Sequence, residues 1–289
     1  MFIKQLFKQR KSVMGRNNSR VLVYASLFLL CALFVSLPGR AETQQIEGLE
    51  FENVLVIGSV EVEISQGDAV ELVVRGSSSD LAKKPFYTDG DTLVLGQNQE
   101  HKQNFGRLRY KLTVVELERL QLHGSGEIYV KPLVVEDLYV SVDGSGDIKL
   151  FGVRGRDLTL KVSGSGDVQV VELNSSADVK MLVSGSGDLH IGTLNAEFLK
   201  ASLSGSGDIS VQDGGEVVEL DINVVGSGDV DLKAVNAQVV TVNIVGSGGT
   251  EVSAELDLDV NIMGSGDVSY RGSPDVSQSV LGSGDVYQD

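Results

Sequence analysis

Seven aspartates follow directly on a Gly-Ser-Gly tripeptide, and their spacing is the best candidate for chemistry in this chain. If successive copies stack, neighbouring carboxylates lie about one strand spacing apart and repel by ~0.9 kcal/mol in water. In one interpretation each carboxylate accepts N–H groups of its own turn, which contributes about 1 kcal/mol apiece. In the other, a cation ladder forms in which Ca²⁺, with its need for several oxygen ligands, bridges adjacent turns. The seven are Asp147, Asp167, Asp188, Asp208, Asp229, Asp267 and Asp285.

No second set of reactive residues shares the period of these aspartates, which argues against catalysis. A polysaccharide-degrading enzyme built on β-strands would need Asp clustered with Arg or Lys, but Arg154, Arg156 and Arg271 are scattered across bends. The three histidines share no motif spacing, and His190 alternates with apolar neighbours as an outward strand residue does. The Gly-Ser-Gly serines lack a nucleophile elbow, and no phosphate loop or dinucleotide motif is present. We therefore expect a non-catalytic protein without a cofactor.

Nine Gly-Ser-Gly tripeptides recur at steps of 18 to 21 residues from Gly124 onwards. A near-constant period of this size predicts one small unit that is copied and stacked. Both glycines of each copy fall on the inward parity, where we expect two walls of a coil to converge and a Cβ to collide. These structural turn residues are Gly124, Gly126, Gly144, Gly146, Gly164, Gly166, Gly185, Gly187, Gly205, Gly207, Gly226, Gly228, Gly246, Gly248, Gly264, Gly266, Gly282 and Gly284.

The elements that position the aspartates can be read from one repeat, residues 147–166. Ile148 and Leu150 alternate with a polar residue, and the run from Leu158 to Val162 does the same. Both have the two-residue period of half-buried strands, and a polar bend, 152–157, separates them. Because the columns recur at nearly constant length, we predict an all-β fold, a parallel right-handed β-helix or solenoid with coils of about 20 residues. An antiparallel meander is the alternative, and a propeller divides badly into nine copies.

Residues 42–122 also alternate like strands, but with a looser period. We predict that they form irregular strands that cap the solenoid and continue into the repeats of 123–289. The pair Asp89-Gly90 predicts a turn within them. Their basic cluster is either a site for an anionic glycan or lipid headgroup or the solvent face of an amphipathic strand, which we favour because outward strand positions are routinely charged. The cluster consists of His101, Lys102, Arg107, Arg109 and Lys111.

The first 41 residues are basic and then apolar, with a largely apolar run of 17 residues from Val21 to Leu37. This pattern predicts a secretory signal peptide that is cleaved before Glu42. An uncleaved membrane anchor is the alternative, since the run is at the short limit for a span, and Met14 could be the true start. Cys31, the only cysteine, lies in this leader, so the mature chain has neither a thiol nor a disulfide.

The chain is acidic, with a formal net charge of −16. Removal of the leader leaves 17 basic against 40 acidic residues, a net charge of −23. Such a field repels phosphate backbones, so we exclude nucleic acid as a partner. The sequence favours an extracytoplasmic protein, located in the periplasm, on the outer-membrane surface or in the medium.

The repeated Gly-Ser-Gly-Asp units with their alternating aliphatic residues, preceded by the segment from Phe51 to Val60, resemble the head GIN domain family (DUF2807), a family of autotransporter adhesins. The resemblance covers roughly residues 50–289. It implies a β-helical, non-catalytic, extracytoplasmic domain with a role in adhesion, and no catalytic residue can be carried over. The first copy departs from the pattern with Glu127, and the seventh with Gly249, in place of aspartate.

The expected function is therefore adhesin-like binding or surface display. The outward columns, which include Ser145 and Asp147 with their equivalents, are the predicted binding elements, and a glycan or cell-envelope surface is the predicted partner. The exposed ends of the solenoid could pair with a second copy. The alternative is a periplasmic structural or envelope-stress protein without a specific ligand.

Overall fold

The computed structural model describes residues 42–100 and 105–289. The predicted signal peptide, its cleavage site and Cys31 lie outside this part of the chain, as do His101 and Lys102 of the basic cluster. Among the residues that the structure describes, no helix is long and apolar enough to cross a membrane. The described chain is almost entirely β-structure with a single one-turn helix.

The segment before the repeats contains seven strands and that helix. In chain order they are β1 (Glu42–Glu47), β2 (Asn53–Gly58), β3 (Glu61–Gln66), β4 (Glu71–Gly76), α1 (Ser78–Leu81), β5 (Phe86–Asp89), β6 (Thr92–Leu95) and β7 (Arg109–Val114).

The repeats contain a further seventeen strands, three of which are 15 to 18 residues long because neighbouring segments merge in them. They are β8 (Arg119–Gly124), β9 (Glu127–Val130), β10 (Leu133–Val134), β11 (Asp137–Gly144), β12 (Asp147–Leu150), β13 (Val153–Gly155), β14 (Asp157–Gly164), β15 (Val168–Ser175), β16 (Asp178–Gly185), β17 (Leu189–Asn195), β18 (Phe198–Gly205), β19 (Ile209–Gly226), β20 (Val230–Gly246), β21 (Thr250–Gly264), β22 (Val268–Gly272), β23 (Asp275–Gly282) and β24 (Val286–Gln288).

The strands that precede the Gly-Ser-Gly corners stack in parallel and in register. Gly144 of β11 pairs with Gly124 on one side and with Gly164 on the other, and the same pairing continues coil by coil to Gly282. The strands that follow the corners stack likewise, β12 between β9 and β15. The predicted solenoid is thereby confirmed, with about eight turns of roughly 20 residues, and the antiparallel meander is excluded.

Each coil also has a short third wall, where the sequence predicts only a polar bend. Within the bend 152–157, β13 pairs in parallel with β10 below it and with the end of β15 above it. In the first four coils one aliphatic side chain points inward here, and each is at most 4% exposed, whereas Gly215 takes this position in the next coil. The bend contains a short strand that the sequence analysis does not predict, because a single apolar residue among polar ones has no period to recognise. The first members of this column are Leu133, Val153, Leu173 and Leu194.

The N-terminal strands join both walls. β2 pairs in parallel with β8, with Gly58 opposite Gly124, and β3 pairs in parallel with β9. Beyond them the pairing turns antiparallel, between β1 and β4, between β4 and β7, and in the hairpin of β5 and β6. The turn of that hairpin is the one that Asp89-Gly90 predicts. A single cluster of buried apolar side chains runs from Ile46 to Val268.

Two polar side chains complete the hydrogen bonding of this N-terminal region. The hydroxyl of Tyr110, 1% exposed, donates to the carbonyl of Pro85 at 2.7 Å and accepts the N–H of Gly96 at 3.1 Å. Burial raises the pKa of this phenol above its ordinary value. The side-chain amide of Gln66 pairs with the backbone of Val134 as a neighbouring strand would. It accepts the N–H of Val134 at 2.9 Å and donates to the carbonyl of Val134 at 2.8 Å.

The last coil leaves one side of the stack open. The inward side chain of Val280 is 40% exposed, whereas Ile262 in the same column one coil earlier is 3% exposed. Gln278 occupies the position that corresponds to the buried Val260. β23 and β24 are therefore edge strands whose outer backbone groups face solvent.

Candidate binding surface

The Gly-Ser-Gly corners have a repeated backbone geometry. The carbonyl of Gly144 accepts the N–H groups of Ser165 and Gly166, at 2.8 and 3.1 Å, and the carbonyls of Gly164, Gly185 and Gly205 have the same arrangement. At the last three corners the serine N–H makes this bond, as from Ser247 to Gly226 at 2.8 Å. Each serine lies exposed at the apex, while the second glycine of the tripeptide is buried. The corners therefore form a row of hydroxyl groups at the repeat of a parallel sheet, about 4.8 Å.

The glycines are required by the neighbouring coil rather than by the opposite wall. A Cβ on Gly166 would lie 2.1 Å from the carbonyl oxygen of Gly146, one coil below, and 2.9 Å from a methyl group of Val142. The first glycine of each corner also has a positive φ, +119° at Gly164. The expected collision between converging walls is thus replaced by one along the stack. The alternation of residues along a strand distinguishes inward from outward side chains, but it carries no information about contacts between stacked coils.

The aspartates that follow the corners form a hydrogen-bonded ladder between coils. The Oδ1 atom of Asp188 accepts the backbone N–H of Asp208 at 2.9 Å, and Asp208 accepts that of Asp229 at the same distance. The rung below Asp188 and the rung from Asp267 to Asp285 have the same form. The interpretation that each carboxylate accepts N–H groups of its own turn is therefore wrong: the donor belongs to the next coil.

The ladder is interrupted where the sequence departs from the motif. Asp229 accepts the N–H of Gly249 at 2.7 Å, but Gly249 has no side chain to offer Asp267. At the first copy, where Glu127 stands, the N–H of Asp147 bonds instead to the carbonyl of Gly126 at 3.0 Å. A backbone acceptor can therefore replace the carboxylate. This sets an upper limit on the stabilisation that one rung of the ladder contributes.

Replacement of Asp208 by alanine should lower the free energy of unfolding by about 0.5–1 kcal/mol, because the charge-assisted bond to Asp229 is lost and a backbone carbonyl replaces it in part. Asp208→Asn, which keeps an acceptor oxygen, should change stability by less. Asp285→Ala is the matched control, since within the described residues Asp285 only donates its own N–H to the ladder, to Asp267. Urea titrations of the three variants measure the differences, and an equal loss in both alanine variants would refute the ladder.

The predicted cation ladder stays a prediction. Six of the seven aspartates are exposed, and Asp188 is half-buried. Within residues 42–100 and 105–289, no group of three or more His, Cys, Asp or Glu side chains is arranged to hold a metal ion. One oxygen of each carboxylate from Asp147 to Asp229 already accepts an N–H group, and the other remains open to solvent or ligand.

The structure brings together three residues that the sequence analysis does not connect. Nδ1 of His190 lies 2.8 Å from the hydroxyl oxygen of Ser210, and Nε2 lies 3.8 Å from Oδ2 of Asp188. The second separation is too long for a hydrogen bond. The three also lie on an outward wall, with about a third of the His190 and Asp188 side chains exposed, rather than in a cleft. We assign them no catalytic role.

Two members of the basic cluster are paired with carboxylates in the part of the chain that the structure describes. Arg109 lies 2.8 Å from Glu61, and Lys111 lies 3.3 Å from Glu63. The ammonium group of Lys131 lies 2.8 Å from the carboxylate of Glu63. This contact is the main cause of the lowered pKa of Glu63. These contacts support the interpretation of the cluster as the solvent face of a strand, since its charges are balanced across neighbouring strands.

A groove along the first bends is a further surface that the sequence analysis does not indicate. The guanidinium carbon of Arg119 lies 5.8 Å from the ring centroid of Tyr139. Glu116, Glu118 and Val134, which is 64% exposed, also line this groove. Arg119 and Tyr139 are adjacent members of one outward column, so an alignment of the repeats would have placed them together.

Comparison with known proteins agrees with the fold. The family described as "Putative auto-transporter adhesin, head GIN domain" matches residues 50–214 and 171–274. A solved structure named a putative lipid binding protein, from Parabacteroides distasonis, is 26% identical, with a TM-score of 0.64 over 87% of this chain and 98% of its own. A putative adhesin from Parabacteroides merdae is 20% identical, with a TM-score of 0.65 over 87% and 97%. Another, from P. distasonis, is 21% identical, with a TM-score of 0.62 over 87% and 98%. No curated protein matches significantly in sequence.

Proposed function

Since this chain belongs to the head GIN domain family, we propose that it is a non-catalytic, adhesin-like protein that acts outside the cytoplasm. In this proposal it is exported by the predicted signal peptide 1–41, and its rod displays repeated side chains to a glycan or another component of the cell envelope. The names of the two Parabacteroides relatives called adhesins are in keeping with this role, and their likeness to this chain is one of fold.

One observation carries the proposal: an exposed serine recurs in register at every corner, and an aspartate follows it at seven of the nine. Asp167 and Asp208, for example, each keep a carboxylate oxygen that is not used in the ladder. Carboxylates accept hydrogen bonds from sugar hydroxyls, and corner hydroxyls such as that of Ser165 both donate and accept them. A polymer with repeated hydroxyl groups can contact several coils at once, so individually weak contacts add through effective concentration.

The binding experiment uses the full-length chain on immobilised envelope polysaccharides. The triple variant Asp167→Asn, Asp188→Asn and Asp208→Asn keeps an acceptor for each rung but removes three outward charges. We expect its retention to fall at least tenfold. The control triple, Asp257→Asn, Asp259→Asn and Asp275→Asn, removes the same charge elsewhere on the rod and should bind normally.

Cell fractionation decides between this function and the alternative of a ligand-free structural protein. The proposal expects the chain in the outer membrane or medium, with Glu42 as its first residue. If the protein is confined to the periplasm and no envelope polysaccharide retains it, the structural role replaces the adhesin-like one. Phosphatidylcholine vesicles are a parallel arm of the binding experiment, because the relative that is 26% identical is named a lipid binding protein.

Self-association through the ends of the solenoid belongs to the same proposal. The open edges of β23 and β24 continue the ladder of both walls, and Val280 at this end is 40% exposed. A second copy that adds its own edge strands would satisfy these backbone groups and cover that side chain. End-to-end pairing would lengthen the display surface without adding a new binding site.

A further inference from the structure

An exposed apolar strip runs along the last four coils, beside the corners. Its members occupy the outward position immediately before each Gly-Ser-Gly tripeptide and lie in register on adjacent strands. Their exposed fractions are 53%, 48%, 57% and 70% from the earliest coil to the last. We call this surface the apolar strip, and it consists of Val225, Val245, Met263 and Leu281.

The columns on both sides of the apolar strip carry no charge. The column on the corner side consists of the serines of the tripeptides. The column on the other side is a ladder of asparagine amides, in which Asn243 donates to Asn223 and Asn261 donates to Asn243, both at 3.3 Å. The outer flank ends with Ser279. Three columns across four coils are therefore uncharged in a chain with 40 acidic residues.

This composition is specific to the C-terminal coils. The same column begins with the half-buried Ile57 of β2 and continues with His123 and Asp143 in the first coils. Serines follow at Ser163, Ser184 and Ser204, and the column becomes continuously apolar only from Val225. Isolated surface hydrophobics are ordinary, but a contiguous row rimmed by polar residues is typical of an interaction site. The fold does not require the change, because serine occupies the same position on equivalent strands.

We propose that the apolar strip is the interface between two copies of this chain, which pack side by side and antiparallel about a twofold axis. An isologous pairing reverses the order of the row, so that Val225 faces Leu281 of the second copy and Val245 faces Met263. The two smaller side chains of each copy thereby lie against the two larger ones of the other. The row is complementary to itself only in this antiparallel order.

The acidic net charge of the chain also favours a second copy as the partner of the apolar strip. Two strongly acidic rods repel each other over most of their surface, and an uncharged strip is where they can approach without opposing like charges. An anionic membrane would be repelled in the same way. Because four side chains and their polar flanks form a small interface, the association should be weak and dependent on concentration. This lateral contact differs from pairing at the solenoid ends and goes beyond the proposed function.

Sedimentation equilibrium of the full-length chain tests the proposal. Val245→Asp adds one charge per copy at the centre of the strip and should weaken dimerisation at least tenfold. Val171→Asp is the matched control, because Val171 is a 44% exposed valine on an outward position of β15, and this variant should dimerise like the parent. Loss of dimer in both variants, or in neither, overturns the assignment; the second outcome would point to the ends or the leader.

Cysteine cross-linking tests the antiparallel order. In a Cys31→Ser background, a mixture of Val225→Cys and Leu281→Cys chains should be cross-linked by a short bismaleimide several times more than either chain alone. The strip spans three coil spacings, about 14 Å, which separates like cysteines in the antiparallel pair. Equal cross-linking of Val225→Cys chains with themselves would overturn the antiparallel order. A monomeric parent that floats with phosphatidylcholine vesicles, when Val245→Asp does not, would identify lipid as the occupant and overturn the proposal.

Discussion

Replacement of Gly205 by alanine should lower the free energy of unfolding by about 3 kcal/mol or more. Two costs combine at this corner. Gly205 has a φ of +139°, which disfavours any residue with a Cβ by about 1–2 kcal/mol. The added Cβ would also lie 2.1 Å from the carbonyl oxygen of Gly185, and relief of such overpacking typically costs a further 1–3 kcal/mol. Neither atom can yield cheaply, because the oxygen belongs to the backbone of the adjacent coil and the backbone at Gly205 fixes the position of the Cβ.

Denaturant titration followed by far-ultraviolet circular dichroism measures this effect, with Gly249→Ala as the matched control. Gly249 lies in the same corner region, but its nearest neighbour would be the Asp229 carboxylate oxygen, at 3.2 Å, and its φ is ordinary. We expect this variant to stay within about 0.5 kcal/mol of the parent, helped by the lower backbone entropy of its unfolded chain. If both variants lose the same free energy of unfolding, the close stacking of the corners is not the reason why position 205 must be glycine.

The register of the coils could be predicted from the sequence because the corner motif itself carries the constraint. Gly-Ser-Gly recurs at almost constant steps, and only stacked, equivalent positions need the same residues at such spacing. The antiparallel pairing of β1 with β4 and of β4 with β7 could not be derived, since alternation predicts a strand but not its neighbour. Similarly, the aspartates were predicted to point outward, but the donor that each one binds lies in another coil.

The apolar strip shows a second limit of reading a single repeat. Val225, Met263 and Leu281 each follow an inward aliphatic residue and look like part of an apolar run when they are read along the chain. Only the register of the walls assigns them to one outward column, and only their exposure distinguishes them from the core. Periodicity along the chain therefore predicts the strands of a wall. Which residues share an outward surface can be determined only once the coils are aligned in register.

Replacement of Leu173 by alanine should destabilise the protein by about 2–4 kcal/mol, although the sequence places it at the edge of a bend. Its side chain is fully buried in the third wall, where Leu173 pairs with Val153 below and with Leu194 above. Loss of its three carbons removes buried apolar contacts and leaves a cavity, because the backbone ladders on both sides prevent collapse. The expected cost equals that of a core residue in either long wall, which makes the bend a structural element of the coil.

Leu182→Ala is the control that separates burial from residue type. Leu182 lies on the outward side of β16, where its column neighbours are Lys161 and Ser202, and it is only half-buried. We expect its truncation to cost less than about 1 kcal/mol, since solvent occupies the space that the side chain leaves. Hydrogen exchange of the amides in β13 and β17 should increase in Leu173→Ala and remain unchanged in Leu182→Ala. A loss of stability in Leu173→Ala no greater than that in Leu182→Ala would show that the bends contribute little to the core and that the two long walls alone hold the coils together.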